Sequence, residues 1–102
     1  MIYRSKAPLR IGLAGGGTDV SPYSDLYGGA ILNATLSLYA HATIEPIEEN
    51  GIVLTALDRH EELRFEWANE LPLNGTLDLL KGVYNRIQKD YGLPMTNFRL
   101  ST

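Results

Sequence analysis

Apolar and polar positions alternate along much of the chain. Leu38, Ala40, Ala42 and Ile44 fall on one side of a predicted strand, with Tyr39, His41, Thr43 and Glu45 on the other. Leu63, Phe65 and Trp67 alternate with Glu62, Arg64 and Glu66, the pattern of a half-buried strand. Between these runs, Asn50-Gly51 leads into Ile52-Val53-Leu54-Thr55. Asn-Gly flanked by strand-like runs predicts a tight hairpin. Residues 2–13 read as a strand in which Pro8 requires a break or an edge position, because proline lacks a ladder donor. Ala30 to Leu36 reads as a strand with mixed faces. Asn97 to Thr102, carrying Phe98 and Leu100, reads as the last strand.

The period changes once. Leu77, Leu80, Val83/Tyr84, Ile87 and Tyr91 recur at helical spacing. Asn74 or Thr76 is placed to cap that helix, Asp78 suits its first turn, and Gly92 with Pro94 ends it. A shorter helix is predicted over Ser21 to Tyr27. Ser21 would be its cap, Pro22 its first residue, and Gly28-Gly29 its end. The order predicts an α+β fold, with a mostly antiparallel sheet and one long helix on a face. A doubly wound nucleotide fold would need regular strand–helix alternation. Residues 1–102 read as one domain that stops inside its last strand, so the expectation is an incomplete domain. An unpaired edge at residues 97–102 would invite pairing with a second copy, giving a homodimer.

Composition narrows the function classes. The 102 residues are 44% hydrophobic and 21% charged, which excludes a disordered chain. The formal charge of −3 argues against a nucleic-acid partner. No cysteine is present, so thiolate catalysis, disulfides and zinc–thiolate centres are excluded. No apolar run approaches a membrane span of about 20 residues, and the first residues lack a secretory leader pattern. A cytoplasmic protein with no membrane partner is expected.

One anomaly remains. Gly12, Gly15, Gly16, Gly17, Gly28 and Gly29 crowd into a short stretch. The triple glycine admits two readings: a tight turn of positive φ, or unhindered amides that cradle an anion beside a helix N-terminus. Two phosphate motifs fail. No glycine precedes Lys and then Ser or Thr, so there is no P-loop, and Val20 replaces the third glycine of a dinucleotide fingerprint. The flanks matter more. Arg10 offers a fork of donors suited to phosphate oxygens, and Asp19 can accept from two sugar hydroxyls. Either the two converge on a polyol beside a phosphoryl group, or they pair with each other.

The segment Ala7-Pro8-Leu9-Arg10-Ile11-Gly12-Leu13-Ala14-Gly15-Gly16-Gly17-Thr18-Asp19-Val20 resembles the first signature of the GHMP sugar kinases. Its triple glycine is most similar to the branch that phosphorylates D-glycero-D-manno-heptose 7-phosphate, with fucokinase-like proteins nearby. Ser21-Pro22-Tyr23, Gly28-Gly29 and Asn33-Ala34-Thr35-Leu36 also fit that branch. The resemblance implies the N-terminal part of a domain of the ribosomal S5 domain 2-like type. It further implies phosphoryl transfer from ATP, with Mg2+, to a hydroxyl of a sugar phosphate, the anomeric one in this branch. Carried over by position, Arg10 would be catalytic, stabilising charge on the transferred phosphoryl group. Arg10, Gly15, Gly16, Gly17, Thr18, Asp19 and Tyr23 would line the substrate pocket. The family's glycine-serine loop around the ATP phosphates is not in this sequence. The expectation is therefore that the 102 residues alone bind no ATP or Mg2+ and lack kinase activity. Another sugar kinase or a non-catalytic sugar- or anion-binding module are the alternatives.

Other polar residues read as structural. His41 and His60 lack partners at ligand spacing, so no metal site is expected. Arg64 sits between glutamates and is expected to pair with them. Phe65 and Trp67 read as core, and Arg4 and Lys6 as surface charges near Arg10.

Overall fold

A computed structural model describes residues 1–102. Its elements run β1 (Tyr3–Ala14), α1 (Tyr23–Tyr27), β2 (Leu32–Pro46), β3 (Ile52–Ala56), β4 (Glu61–Phe65), α2 (Asp78–Tyr91) and β5 (Phe98–Ser101). The strands hydrogen-bond in the order β1-β2-β5-β3-β4. Pro8 is accommodated without a break because β1 is an edge strand. The two strands predicted over 30–47 are one, β2. The chain divides into two compact units: residues 1–5 with 41–102, and residues 6–40.

The first unit holds the buried core. β3 pairs antiparallel with β4 and parallel with β5, and β5 pairs antiparallel with the end of β2. The sheet is therefore mixed, correcting the mostly antiparallel expectation. The reason is the α2 crossover, which brings β5 back beside β3, a parallel placement that a hairpin cannot reach. β5 is consequently paired on both sides. The unpaired edge expected at 97–102 is corrected on that ground.

The Asn-Gly signal gives the right reversal but the wrong neighbour. β2 and β3 flank β5 instead of pairing with each other. Asn97 holds the split open. Its side-chain oxygen accepts from the Gly51 N–H at 2.9 Å, and its carbonyl accepts from the Ile47 N–H at 3.2 Å. The Phe98 N–H then reaches the Gly51 carbonyl at 3.2 Å. Gly51 takes a φ of +116°, and a Cβ there would lie 2.2 Å from the Phe65 carbonyl oxygen. No other residue fits.

Ile52, Leu54, Ala56, Leu71, Leu77 and Tyr84 form the core, with Leu63, Phe65, Trp67, Leu80, Phe98 and Leu100 packed against them. Burying a side chain such as Leu54 stabilises the unit by about 1.5–3 kcal/mol. Helix α2 follows its apolar period at Leu77, Leu80 and Tyr84, which face the core, but departs from it toward the C-terminus. Lys81, Tyr84 and Gln88 are its buried positions, while Val83 and Ile87 are more than two-fifths exposed and Tyr91 is 75% exposed. The buried polar groups are compensated. Lys81 Nζ donates to Asn74 Oδ1 at 2.7 Å and faces the Phe65 ring, and Gln88 Nε2 donates to Asn69 Oδ1 and the Leu93 carbonyl. Tyr84 donates its hydroxyl proton to the Ala68 carbonyl at 2.6 Å. The left-over stripe of Val83 and Ile87 lines an apolar groove of about 570 Å³ with Tyr3, Ile44 and Leu100.

Neither Asn74 nor Thr76 caps α2. Leu77 occupies the cap position in the left-handed region, with no side-chain cap bond. The Asp78 carboxylate instead accepts from the Asn74 and Gly75 N–H groups at 3.1 and 2.9 Å, fixing the preceding turn. The C-terminus follows expectation: Gly92 is left-handed, and its N–H reaches the Gln88 carbonyl at 2.8 Å.

The second unit, residues 6–40, contains no buried residue. It comprises most of β1, the glycine turn, α1 and the first part of β2. Backbone hydrogen bonds and close backbone approach hold it together, and these define the candidate site.

Candidate functional site

All the residues expected at the site lie in the second unit. Arg10 is in β1, Gly15 to Asp19 form the turn after it, and Tyr23 opens α1. The turn closes through the Thr18 N–H, which reaches the Gly15 carbonyl at 3.1 Å. Gly15 and Gly17 have φ of +80° and +87°, the conformation for which glycine carries no side-chain penalty.

Thr18 is the staple of this turn. Its hydroxyl lies 2.7 Å from the Gly15 carbonyl and 3.1 Å from the Ala30 carbonyl, and it accepts from the Ala30 N–H at 3.2 Å. The two segments touch backbone to backbone. A Cβ on Gly15 would fall 2.0 Å from the Ala30 carbonyl oxygen, and one on Gly29 would fall 2.0 Å from the Thr18 carbonyl oxygen. Much of the glycine cluster is thus explained by close chain approach. Gly12 and Gly16 are not: nothing lies within 4 Å of a Cβ at either position, and neither has a positive φ.

Arg10 and Asp19 are exposed, and neither joins any of the chain's six ion pairs. They do not neutralise each other, so the reading in which they pair is not realised. The guanidinium donors and the carboxylate oxygens are both free for a ligand. Tyr23 stacks against Tyr27, with ring centroids 5.2 Å apart, and stays half exposed. The helix that would assist an anion is short. α1 spans five residues, Pro22 stands at its cap, and Asp25 occupies its first turn. Ser21 does not cap the α1 backbone as predicted; its hydroxyl donates to the Asp25 carboxylate. A helix this short contributes little dipole.

The other basic residues of β1 and several further charged residues are engaged. Lys6 Nζ sits 4.7 Å over the Tyr39 ring, and in the other unit Arg4 donates to the Thr43 hydroxyl. Arg64 pairs with Glu62 and Glu49, Arg59 with Glu61, and Arg99 with Glu45. Phe65 and Trp67 pack on the core. No group of three or more His, Asp or Glu side chains is placed to hold a metal ion. Sequence reasoning missed the stapling role of Thr18 and the buried Lys81. The Thr18 role depends on Ala30, twelve positions away, and no local pattern signals it.

No family model matches the chain. A curated D-glycero-alpha-D-manno-heptose 7-phosphate kinase of Campylobacter jejuni is 43% identical over 99 residues, covering 97% of this chain and 29% of that protein. A crystal structure of a D-glycero-D-manno-heptose 1-phosphate kinase from Bacteriodes thetaiotaomicron superposes with a TM-score of 0.85 at 50% identity, over 99% of this chain and 33% of that one. A Campylobacter jejuni structure assigned as a sugar kinase matches with a TM-score of 0.76 at 43% identity, over 98% of this chain and 30% of that one. The chain thus spans about a third of the length of the relatives it matches. Over almost every one of its residues, in sequence and in fold, it is similar to heptose-phosphate kinases.

Proposed function

We propose that the chain is the sugar-binding part of an ATP-dependent GHMP-type kinase, with the S5 domain 2-like topology, acting on D-glycero-D-manno-heptose 7-phosphate. The observation that carries this reading is the pairing of two free, opposite groups with a stapled turn: Arg10 and Asp19 lack protein partners, while Thr18 fixes the loop between them. In this reading Asp19 accepts hydrogen bonds from two sugar hydroxyls and so orients the acceptor. The turn of Gly15, Gly16, Gly17 and Thr18 walls the pocket, and Tyr23 packs on the ring. The anomeric oxygen attacks the γ-phosphorus of ATP, the bond to the β,γ-bridging oxygen breaks, and ADP leaves. The hydroxyl proton departs to solvent. Arg10 places its guanidinium donors on the phosphoryl oxygens as negative charge develops. Such transfer is chiefly positioning and charge stabilisation.

The 102 residues alone are expected to be inactive, because no glycine-serine phosphate loop is in the sequence. The test compares ATP-dependent phosphorylation by the full-length product of the reading frame on heptose 7-phosphate, fucose and galactose. Preferred turnover of the heptose phosphate, lost in Asp19→Asn and Arg10→Gln, is the expected result. Turnover of fucose alone, or unchanged rates in both variants, would overturn the assignment.

A further inference from the structure

Most of the ten glycines have a reason in the fold. Gly15, Gly29 and Gly51 leave no room for a Cβ, and Gly17, Gly28, Gly75 and Gly92 have positive φ. Gly12 meets neither condition. It lies inside β1 between Ile11 and Leu13, its φ is ordinary, and the space beyond its Cα is open. Glycine weakens a strand interior, and any β-branched residue would serve β1 better. Glycine in a strand interior often marks a place where a ligand comes close to the backbone.

Its position indicates which ligand. Side chains two apart share a face of a strand, so position 12 lies on the Arg10 face, about 6.6 Å further toward the glycine turn. Arg10 on that face is exposed and unpaired. A side chain at position 12 would occupy the open strip of that face between Arg10 and the glycine turn. Gly16 is also unconstrained, but it is already part of the proposed pocket wall. Gly82 is unconstrained too, but it belongs to α2 in the other unit.

We infer that Gly12 is a clearance position, whose missing side chain lets a phosphorylated polyol lie flat along β1 between Arg10 and the glycine turn. Gly12 thereby sets the size of the sugar phosphate the strand accepts. This rests on the sugar-phosphate reading above. The test titrates heptose 7-phosphate and, separately, ATP into the full-length protein and its Gly12→Ala and Gly12→Val variants by calorimetry. Ligand-free thermal unfolding is measured alongside. Sugar-phosphate affinity is expected to fall a few-fold in the alanine variant and at least tenfold in the valine variant. ATP affinity should stay within twofold, and the ligand-free Tm should hold or rise. Equal sugar-phosphate affinity in all three proteins would overturn the inference. So would a ligand-free Tm that falls with side-chain size, because the space would then be filled by the protein's own packing. A wild-type protein that binds no heptose phosphate would instead overturn the function proposed above.

Discussion

The contact between Gly29 and Thr18 lends itself to a quantitative perturbation. Gly29→Ala places a Cβ 2.0 Å from the Thr18 carbonyl oxygen and 2.6 Å from its carbon. Both contacts involve backbone, so neither can swing aside. Relief to a 3.0 Å contact requires the two segments to part by 1.0 Å, the difference between 3.0 and 2.0. The Thr18 hydroxyl then moves out of range of the Ala30 N–H and carbonyl, now 3.2 and 3.1 Å away. The Ala30 N–H loses its acceptor, a hydrogen bond of about 0.5–1.5 kcal/mol, while the one hydroxyl proton stays with the nearer Gly15 carbonyl. The local cost is about 1 kcal/mol, roughly a 5-fold change in opening. Native-state hydrogen exchange at the Ala30 amide reads this directly and should accelerate by that factor. Amides of β3 and β4, in the other unit, should not change. Thr18→Val should reproduce the effect without a clash, and Thr18→Ser should restore protection. Unchanged Ala30 exchange in Gly29→Ala would refute the view that close backbone approach holds the turn.

Three further outcomes are expected. Tyr84→Phe keeps the ring against Phe98 but removes the donor to Ala68, costing about 1 kcal/mol in urea denaturation. Burial raises the Tyr84 pKa above 10.0, so its contribution is complete below about pH 10 and fades as pH rises through the folded value. The Phe variant should lack this component of alkaline destabilisation when unfolding midpoints are compared across that range. Asn85→Ala strands both the Leu71 N–H, now bonded at 2.7 Å, and its carbonyl, bonded at 2.9 Å, and should cost about 1–3 kcal/mol by the same assay. Gly82→Ala, in α2 with nothing within 4 Å of the new Cβ, should add about 1 kcal/mol, seen as a higher urea midpoint.

Alternation and helical period located β4 and α2, turn and cap residues located β3 and α1, and the single strand β2 was read as two. Pairing was less legible. Asn50-Gly51 signals a reversal, and the chain does reverse there, yet β5 wedges between the strands it joins. That outcome depends on Asn97, nearly the whole of α2 and two further strands away, which no turn rule consults. The inward face of helix α2 was legible at Leu77, Leu80 and Tyr84 but not beyond them. Its apolar period favours Val83 and Ile87, but the buried Lys81 and Gln88 find partners in Asn74, Asn69 and Leu93 and carry the inward face. At the candidate site the charged residues and the turn stood out in sequence. The division of labour among the glycines did not, since it is set by clearance to residues 29–31.

The position of β5 has a consequence for how the chain acquires its shape. Glu45 and Arg99, 54 positions apart, end up joined across neighbouring strands. Until residues 98–101 arrive, β2 and β3 have a gap where a partner belongs, and their inner edges offer unused donors and acceptors. Loop-closure entropy must be met before that seam can form, which slows assembly. During synthesis, the sheet cannot close until its central strand emerges.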